Sequence, residues 1–210
     1  MLSASNLRLT YADGASAVHA VDGVSLEVGE REFVGILGPS GSGKSSLLYL
    51  LAGLKRATAG EVRFRGAAYG GRGPDDLAGL RRANFGFVFQ SAFLVGYLTG
   101  HENVAAGGGR DGARLFEELG IGSCGGRFPH QMSAGERQRV SIARAVAHGP
   151  AVVFADEPTA SLDRASAEVV MRCLRRATAG GTLFVVTHDE SILGGATRAL
   201  RMRAGRLDPA

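Results

Sequence analysis

The chain has 210 residues, of which 45% are hydrophobic and 21% charged; this is the make-up of a folded domain with a core of its own, and it excludes a disordered chain. No apolar run reaches the ~18–20 residues that span a bilayer, MLSASNLRLTY lacks the basic-then-apolar pattern of an export signal, and Cys124 and Cys173 stand apart with no metal-ligand spacing or disulfide framework, so a cytoplasmic, reduced protein is expected. The net charge of +4 permits anionic partners, but the arginines are scattered along the chain, so nucleic acid is not an expected partner.

In chain order, the first third reads as strands. Leu7, Leu9 and Tyr11 alternate with polar residues, and VSLEV (24–28) alternates again after a turn expected at Asp22-Gly23. FVGIL (33–37) is a continuous apolar run, as in a strand buried on both faces. It breaks into GPSGSGK and then a helix, SSLLYLLAGL, that should end near Gly53. EVRFRG (61–66) and NFGFVFQ (84–90) read as further strands. From Ser91 to about Gln131, short helical pieces such as ARLFEEL (113–119) alternate with the glycine clusters GGGRDG (107–112) and GSCGG (122–126).

A helix is then expected from Ala134 to about Ala147, closed by Gly149-Pro150. AVVFADE (151–157) reads as a buried strand, RASAEVVMRCLRRA (164–177) as a helix, TLFVVTHD (182–189) as another buried strand and ALRMRAGRL as a closing hairpin. KRATAG (55–60) and RRATAG (175–180) are alike, but the likeness goes no further, so there is no internal repeat. Buried strands separated by helices give an α/β fold with a mainly parallel core sheet; the alternating N-terminal strands add an antiparallel layer. The whole reads as one folding unit, with residues 1–90 and about 141–210 as core and about 91–140 as an insertion.

Three stretches carry chemistry. GPSGSGKS (38–45) matches the phosphate-binding loop in full, between a buried strand and a helix. Gly38, Gly41 and Gly43 let the backbone from Gly38 through Pro39, Ser40, Gly41 and Ser42 to Gly43 wrap a phosphate, with the N–H groups of its non-proline residues pointing inward. Lys44 brings positive charge to the β- and γ-phosphates, Ser45 offers a hydroxyl to Mg2+, and the helix entered through Ser46 turns its positive end to the anion. VVFADE ends a buried strand in two carboxylates: Asp156 is suited to hold Mg2+ and Glu157 to polarise an attacking water. QMSAGERQR (131–139) admits two readings. Ser133 and Glu136 form a capping box that starts a helix, or the small residues Ser133, Ala134 and Gly135 present N–H groups to an anion supplied from elsewhere.

Together these stretches resemble the ATP-binding cassette (ABC) ATPases over almost the whole chain. The phosphate loop, Gln90, SAGERQR, Asp156-Glu157, ASLD (160–163) and His188 stand in that family's order. VDGVSLEV, GFVFQ, PHQ and GERQRVSIARA look most like its lipoprotein-releasing, macrolide-efflux and cell-division branch. The resemblance implies a P-loop NTPase with a RecA-like, mainly parallel core sheet, an N-terminal antiparallel β layer and a short inserted helical subdomain. It implies ATP and Mg2+ as ligands. Tyr11 matches the aromatic that stacks on adenine, Gln90 the glutamine that contacts Mg2+ and the attacking water, and His188 the histidine on the γ-phosphate. Asp163 matches the aspartate that links the nucleotide sites of a dimer. Met132-Ser133-Ala134-Gly135-Glu136 falls on the signature, which faces the phosphate loop of a second copy.

Two departures stand out. Ala134 replaces a glycine, which costs little where the residue has helical φ/ψ. Gln90 to Ser133 is 43 positions, fewer than the family usually has, so the region that contacts the membrane subunit is trimmed. FLVGYL (93–98) is either its docking surface or the core of the small subdomain. The expected function is an ATP-hydrolysing subunit that pairs with a second copy and drives a separate permease, peripheral to the inner face of the membrane. The alternatives are a non-transport ABC ATPase on DNA or ribosomes, against which the lack of heptads and Cys pairs argues, and an ATP-binding regulatory module without turnover.

Overall fold

Residues 1–13, 16–109 and 112–209 are described by the computed structural model of the chain; Arg110 and Asp111 of the GGGRDG cluster lie outside them. The chain divides into two units, Met1–Arg82 with Phe184–Ala210, and Ala83–Leu183.

In the first unit β1 (Leu2–Asp13) pairs antiparallel with β2 (Ser16–Val28). The buried positions switch parity along each strand, from Leu2 and Ala4 to Leu7 and Leu9, and from Val21 to Val24, Leu26 and Val28. Each switch is a bulge, which inserts one residue and returns the apolar set to the same face. Asn6 at φ 47 makes the first and Gly23 at φ 69 the second. Asp22-Gly23 is therefore a bulge inside one long strand, not the expected turn, because the ladder resumes on both sides of it.

β4 (Ala59–Phe64) joins the free edge of β1, and the short β5 (Ala67–Ala68) follows it. β3 (Phe33–Leu37), wholly buried, runs parallel to β9 (Arg198–Arg203), which turns back into β10 (Arg206–Pro209). β8 (Thr182–Thr187) lies on the other side of β3. α1 (Lys44–Leu51) buries Leu47, Leu48, Leu50 and Leu51 to 1% exposure or less. Each such leucine is worth about 1.5–3 kcal/mol of burial, so the helix that ends the phosphate loop is firmly seated. α2 (Pro74–Asn84), most of it in this unit, went unread in the sequence. Its signals were there: Pro74 at the start, Asp75 and Asp76 in the first turn, Arg81 and Arg82 in the last.

The second unit pairs β6 (Phe85–Val88) parallel with the fully buried β7 (Val152–Asp156). Around them stand α3 (Gly100–Ala106), α4 (Gly112–Glu118), α5 (Ala134–Val146) and α6 (Arg164–Ala177). α3 opens on a capping box, Thr99 with Glu102, whose Ser/Thr-x-x-Glu signal also went unread. α5 and α6 follow the apolar spacing expected of them.

Candidate functional site

The first unit carries the phosphate loop between β3 and α1. Gly41 and Gly43 take φ 77 and 102, which only glycine adopts without strain. Gly38 and Gly43 also answer to their own chain. A methyl group at Gly38 would collide with the Met202 carbonyl oxygen, and one at Gly43 with that of Ala20. The loop is laced to its surroundings: Gly38 N–H donates to the Thr187 carbonyl at 3.2 Å and Gly205 N–H to the Ser42 carbonyl at 3.0 Å.

Lys44 is buried to 6% exposure, and its ammonium donates to the carbonyls of Gly38 and Pro39 at 2.8 and 3.0 Å. The charge is thus held across the mouth of the loop before any ligand arrives. The Ser42 hydroxyl is buried with no hydrogen-bond partner among the described residues, and α1 has no side-chain cap. A buried cation, an unpartnered hydroxyl and an uncapped helix end suit a polyanion. Pro39, Ser40 and Gly41 are exposed, and Ser45 and Ser46 fall in the first turn of α1.

His188, exposed just past β8, lines a cleft of about 350 Å3 with Gly38 and Pro39, so the fold brings the predicted γ-phosphate histidine to the loop. Arg201 and Arg203 of β9 and Glu190 share that cleft; Arg201 pairs with Glu190 at 3.2 Å. These three were missed because nothing local in the tail marks them.

Tyr11 is 40% exposed, which removes its reading as a core residue of the strand face. Its hydroxyl is bonded by the Lys55 ammonium and lies in hydrogen-bond reach of Ser46; the Lys55 charge holds the phenol below its usual pKa.

In the second unit Asp156 closes β7 at 7% exposure, and Glu157 follows at φ 46. A left-handed glutamate costs on the order of 1–3 kcal/mol and persists only where its surroundings hold it. Gln90 is exposed, just past the end of β6. The residue before it is pinned from α5, where buried Gln138 donates to the Phe89 carbonyl at 2.7 Å. Arg144, further along α5, donates to the carbonyls of Ala92 and Phe93 at 2.8 Å each. Neither grip was read from the sequence, although a Gln on the core face of a helix is the sort of residue that needs a buried partner.

FLVGYL resolves against a core: Phe93 is 69% and Tyr97 81% exposed. Fully buried Asn103 shapes this turn, accepting from Val95 N–H at 2.8 Å and donating to the carbonyls of Val95, Leu98 and Thr99.

The signature helix starts as a full capping box. The Ser133 hydroxyl accepts from Glu136 N–H at 3.2 Å and the Glu136 carboxylate accepts from Ser133 N–H at 2.7 Å. That second bond holds Glu136 below the usual carboxylate range, helped by the Cys124 thiol and by Arg127 at 3.6 Å. Burial, then Glu136, pushes the Cys124 thiol up. The Ser133 hydroxyl also turns to the Glu136 carboxylate, so the box is closed on both sides. Ala134 begins α5 at negative φ with its methyl exposed, and Gly135 is buried. A methyl at Gly135 would lie 3.6 Å from Arg139 and 3.9 Å from Ser166. Ser166 belongs to the first turn of α6, whose N-cap is Asp163, accepting from Ser166 N–H at 3.0 Å and from its hydroxyl at 2.7 Å. Those bonds hold the Asp163 carboxyl below its usual range. The starts of α5 and α6 are thus neighbours.

Residues 21–160 match the family described as ABC transporter. The chain belongs to the ABC transporter family. It is 41% identical over 99% of its length to the macrolide export ATP-binding/permease protein MacB of Neisseria meningitidis serogroup B. It is 40% identical over 98% of its length to the pyoverdine export ATP-binding/permease protein PvdT of Pseudomonas fluorescens. The chain spans about a third of the length of these curated relatives. Among solved structures it resembles the dimeric, post-hydrolysis ATP-binding cassette MJ0796 bound to ADP and Pi, with a TM-score of 0.89 and 33% identity, covering 100% of this chain and 98% of that one. The fold is accordingly that of an ABC ATPase, a P-loop NTPase with one antiparallel and one mostly parallel sheet, and its ligand is ATP. Among the described residues, no helix is long and apolar enough to cross a membrane.

Proposed function

We propose that this chain hydrolyses ATP as one of a pair of copies, and that the pair's closing and opening drives a membrane-embedded permease at the cytoplasmic face, towards export or extraction from the membrane. The observation that carries this reading is the signature end of α5. It is a capped helix start with Ser133 and Ala134 exposed, and it has no lysine of its own to neutralise an anion, so it has the make-up of half an anion site. The phosphate loop, with Lys44 inside it, has the make-up of the other half. The dimeric ADP·Pi cassette at 33% identity supports such pairing, and the export relatives support the direction.

In the first unit, the backbone from Gly38 to Ser46 and Lys44 bind the β- and γ-phosphates, Tyr11 stacks on adenine, and His188 donates to a γ-phosphate oxygen. In the second, Glu157 takes the proton from water as its oxygen bonds to the γ-phosphorus; the bond to the bridging oxygen breaks, leaving ADP and phosphate. Ser133, Ala134, Gly135 and Glu136 of one copy address the γ-phosphate held by the other, and Asp163 links the two sites. Ser45, Gln90 and Asp156 are hard oxygen donors, the chemistry Mg2+ selects, and Mg2+ takes few protein ligands beside water and phosphate. When bound, it neutralises charge on the phosphate oxygens. Residues 1–90 and about 141–210 act as the core and about 91–140 as the inserted helical part, which meets the permease through Phe93 and Tyr97.

The test is Glu157→Gln. ATP should still bind, turnover should fall at least ~100-fold, and a nucleotide-bound dimer should build up on size-exclusion chromatography. Unchanged turnover removes Glu157 as the base.

A further inference from the structure

α1 bears the phosphate loop at one end, and the turn after its other end bears Lys55. Gly53, at φ 64, reverses the chain there, and the N–H groups of Leu54 and Lys55 both return to the Tyr49 carbonyl at 2.8 and 3.1 Å. That turn is therefore fixed to the helix, and Lys55 leaves it towards Tyr11. Its ammonium is bonded to the Tyr11 hydroxyl and lies 4.9 Å from the ring centroid. A phenolic oxygen is only a ring radius and one C–O bond from the centroid. An ammonium bonded to it at that distance extends past the hydroxyl and leaves the ring faces clear. Ser46, in the first turn of α1, reaches the same hydroxyl.

We infer that Lys55 is a positioning residue for the nucleotide: with Ser46 it clamps the Tyr11 hydroxyl and fixes the exposed ring, as a base platform, relative to the phosphate loop. This rests on the reading of Tyr11 as the adenine-stacking residue. Both arms of the clamp come from α1 and its turn, so the platform and the phosphate loop are carried by one rigid piece. Lys55 itself need not touch the ligand.

The experiment is equilibrium binding of ATP and of inorganic tripolyphosphate to the full chain. Lys55→Met and Tyr11→Phe should each weaken ATP roughly two- to five-fold, the worth of one exposed charge-assisted bond. Together they should weaken it no further, because both remove the same contact. Lys55→Arg should restore most of the loss, and tripolyphosphate should bind all variants equally. The chain has no tryptophan, so tyrosinate absorbance reads the clamp directly; one tyrosine should titrate higher in Lys55→Met. Weakened tripolyphosphate would make Lys55 a phosphate ligand and overturn the proposal, as would additive effects. If Tyr11→Ala weakens ATP while Lys55→Met and Tyr11→Phe do not, the stacking reading stands and the clamp falls. If Tyr11→Ala leaves ATP binding unchanged, the stacking reading itself is wrong.

Discussion

The phosphate loop and the signature are both glycine-bearing turns into a helix, yet they use small residues for different reasons. In the phosphate loop, Gly38 and Gly43 are demanded from within, since a methyl at either would strike a backbone carbonyl of the same chain. The helix it enters has no side-chain cap, and a lysine fills the loop with charge. At the signature the helix is already capped by Ser133 and Glu136, and a methyl at Gly135 would meet nothing nearer than 3.6 Å. Nothing in its own chain asks Gly135 to be glycine. A self-contained site shows its steric demands in one copy. The half-site proposed at the signature would not, because its demand would come from what docks on it.

That contrast is most severely tested at Lys44. Lys44→Ala should abolish measurable ATP binding, a loss of at least ~100-fold for a charge-assisted contact in a buried setting. Retained affinity would remove the loop's claim to be self-contained. Ser133→Arg should leave binding to the single copy intact while abolishing ATP-driven dimerisation, read by light scattering. Dimers that still form would end the half-site account.

The paired substitutions Gly43→Ala and Gly135→Ala come next. Gly43→Ala should lower folding stability by about 2–4 kcal/mol in urea titration, combining a left-handed φ with a backbone collision. Gly135→Ala should stay within about 0.5 kcal/mol of the parent and lose ATPase only where copies pair. Equal destabilisation by both would erase the distinction between the regions. Acid should expose the capping box more gently. The folded pKa of Glu136 lies below its usual value, so its contribution is complete at neutral pH and is lost as pH falls through that folded value. Glu136→Gln should flatten this part of the stability–pH curve, and an unchanged curve would mean that the carboxylate caps nothing. Ala134→Gly should change ATPase less than about three-fold, since Ala134 already has negative φ and an exposed methyl.

The sequence alone determined the elements that chemistry has to keep contiguous. GPSGSGKS, VVFADE and SAGERQR each declare a strand end or helix start, because phosphate binding, a carboxylate at a strand tip and a capped helix are local geometries. α6 was legible for the same reason: its apolar positions repeat with the helix, and Asp163 opens it. What only the tertiary structure decided were matters of partnership. The bulges at Asn6 and Gly23 were hidden because parity along a strand is judged by the neighbouring strand. The grips of Gln138 on Phe89 and of Arg144 on Ala92 and Phe93 join residues some fifty positions apart. Tyr11 could be read as a core residue of the strand face until its exposure and its bond to Lys55 were seen. Hydrophobic periodicity and capping are properties of a few neighbouring residues; which buried carbonyl a side chain satisfies depends on segments that meet only once the chain has folded.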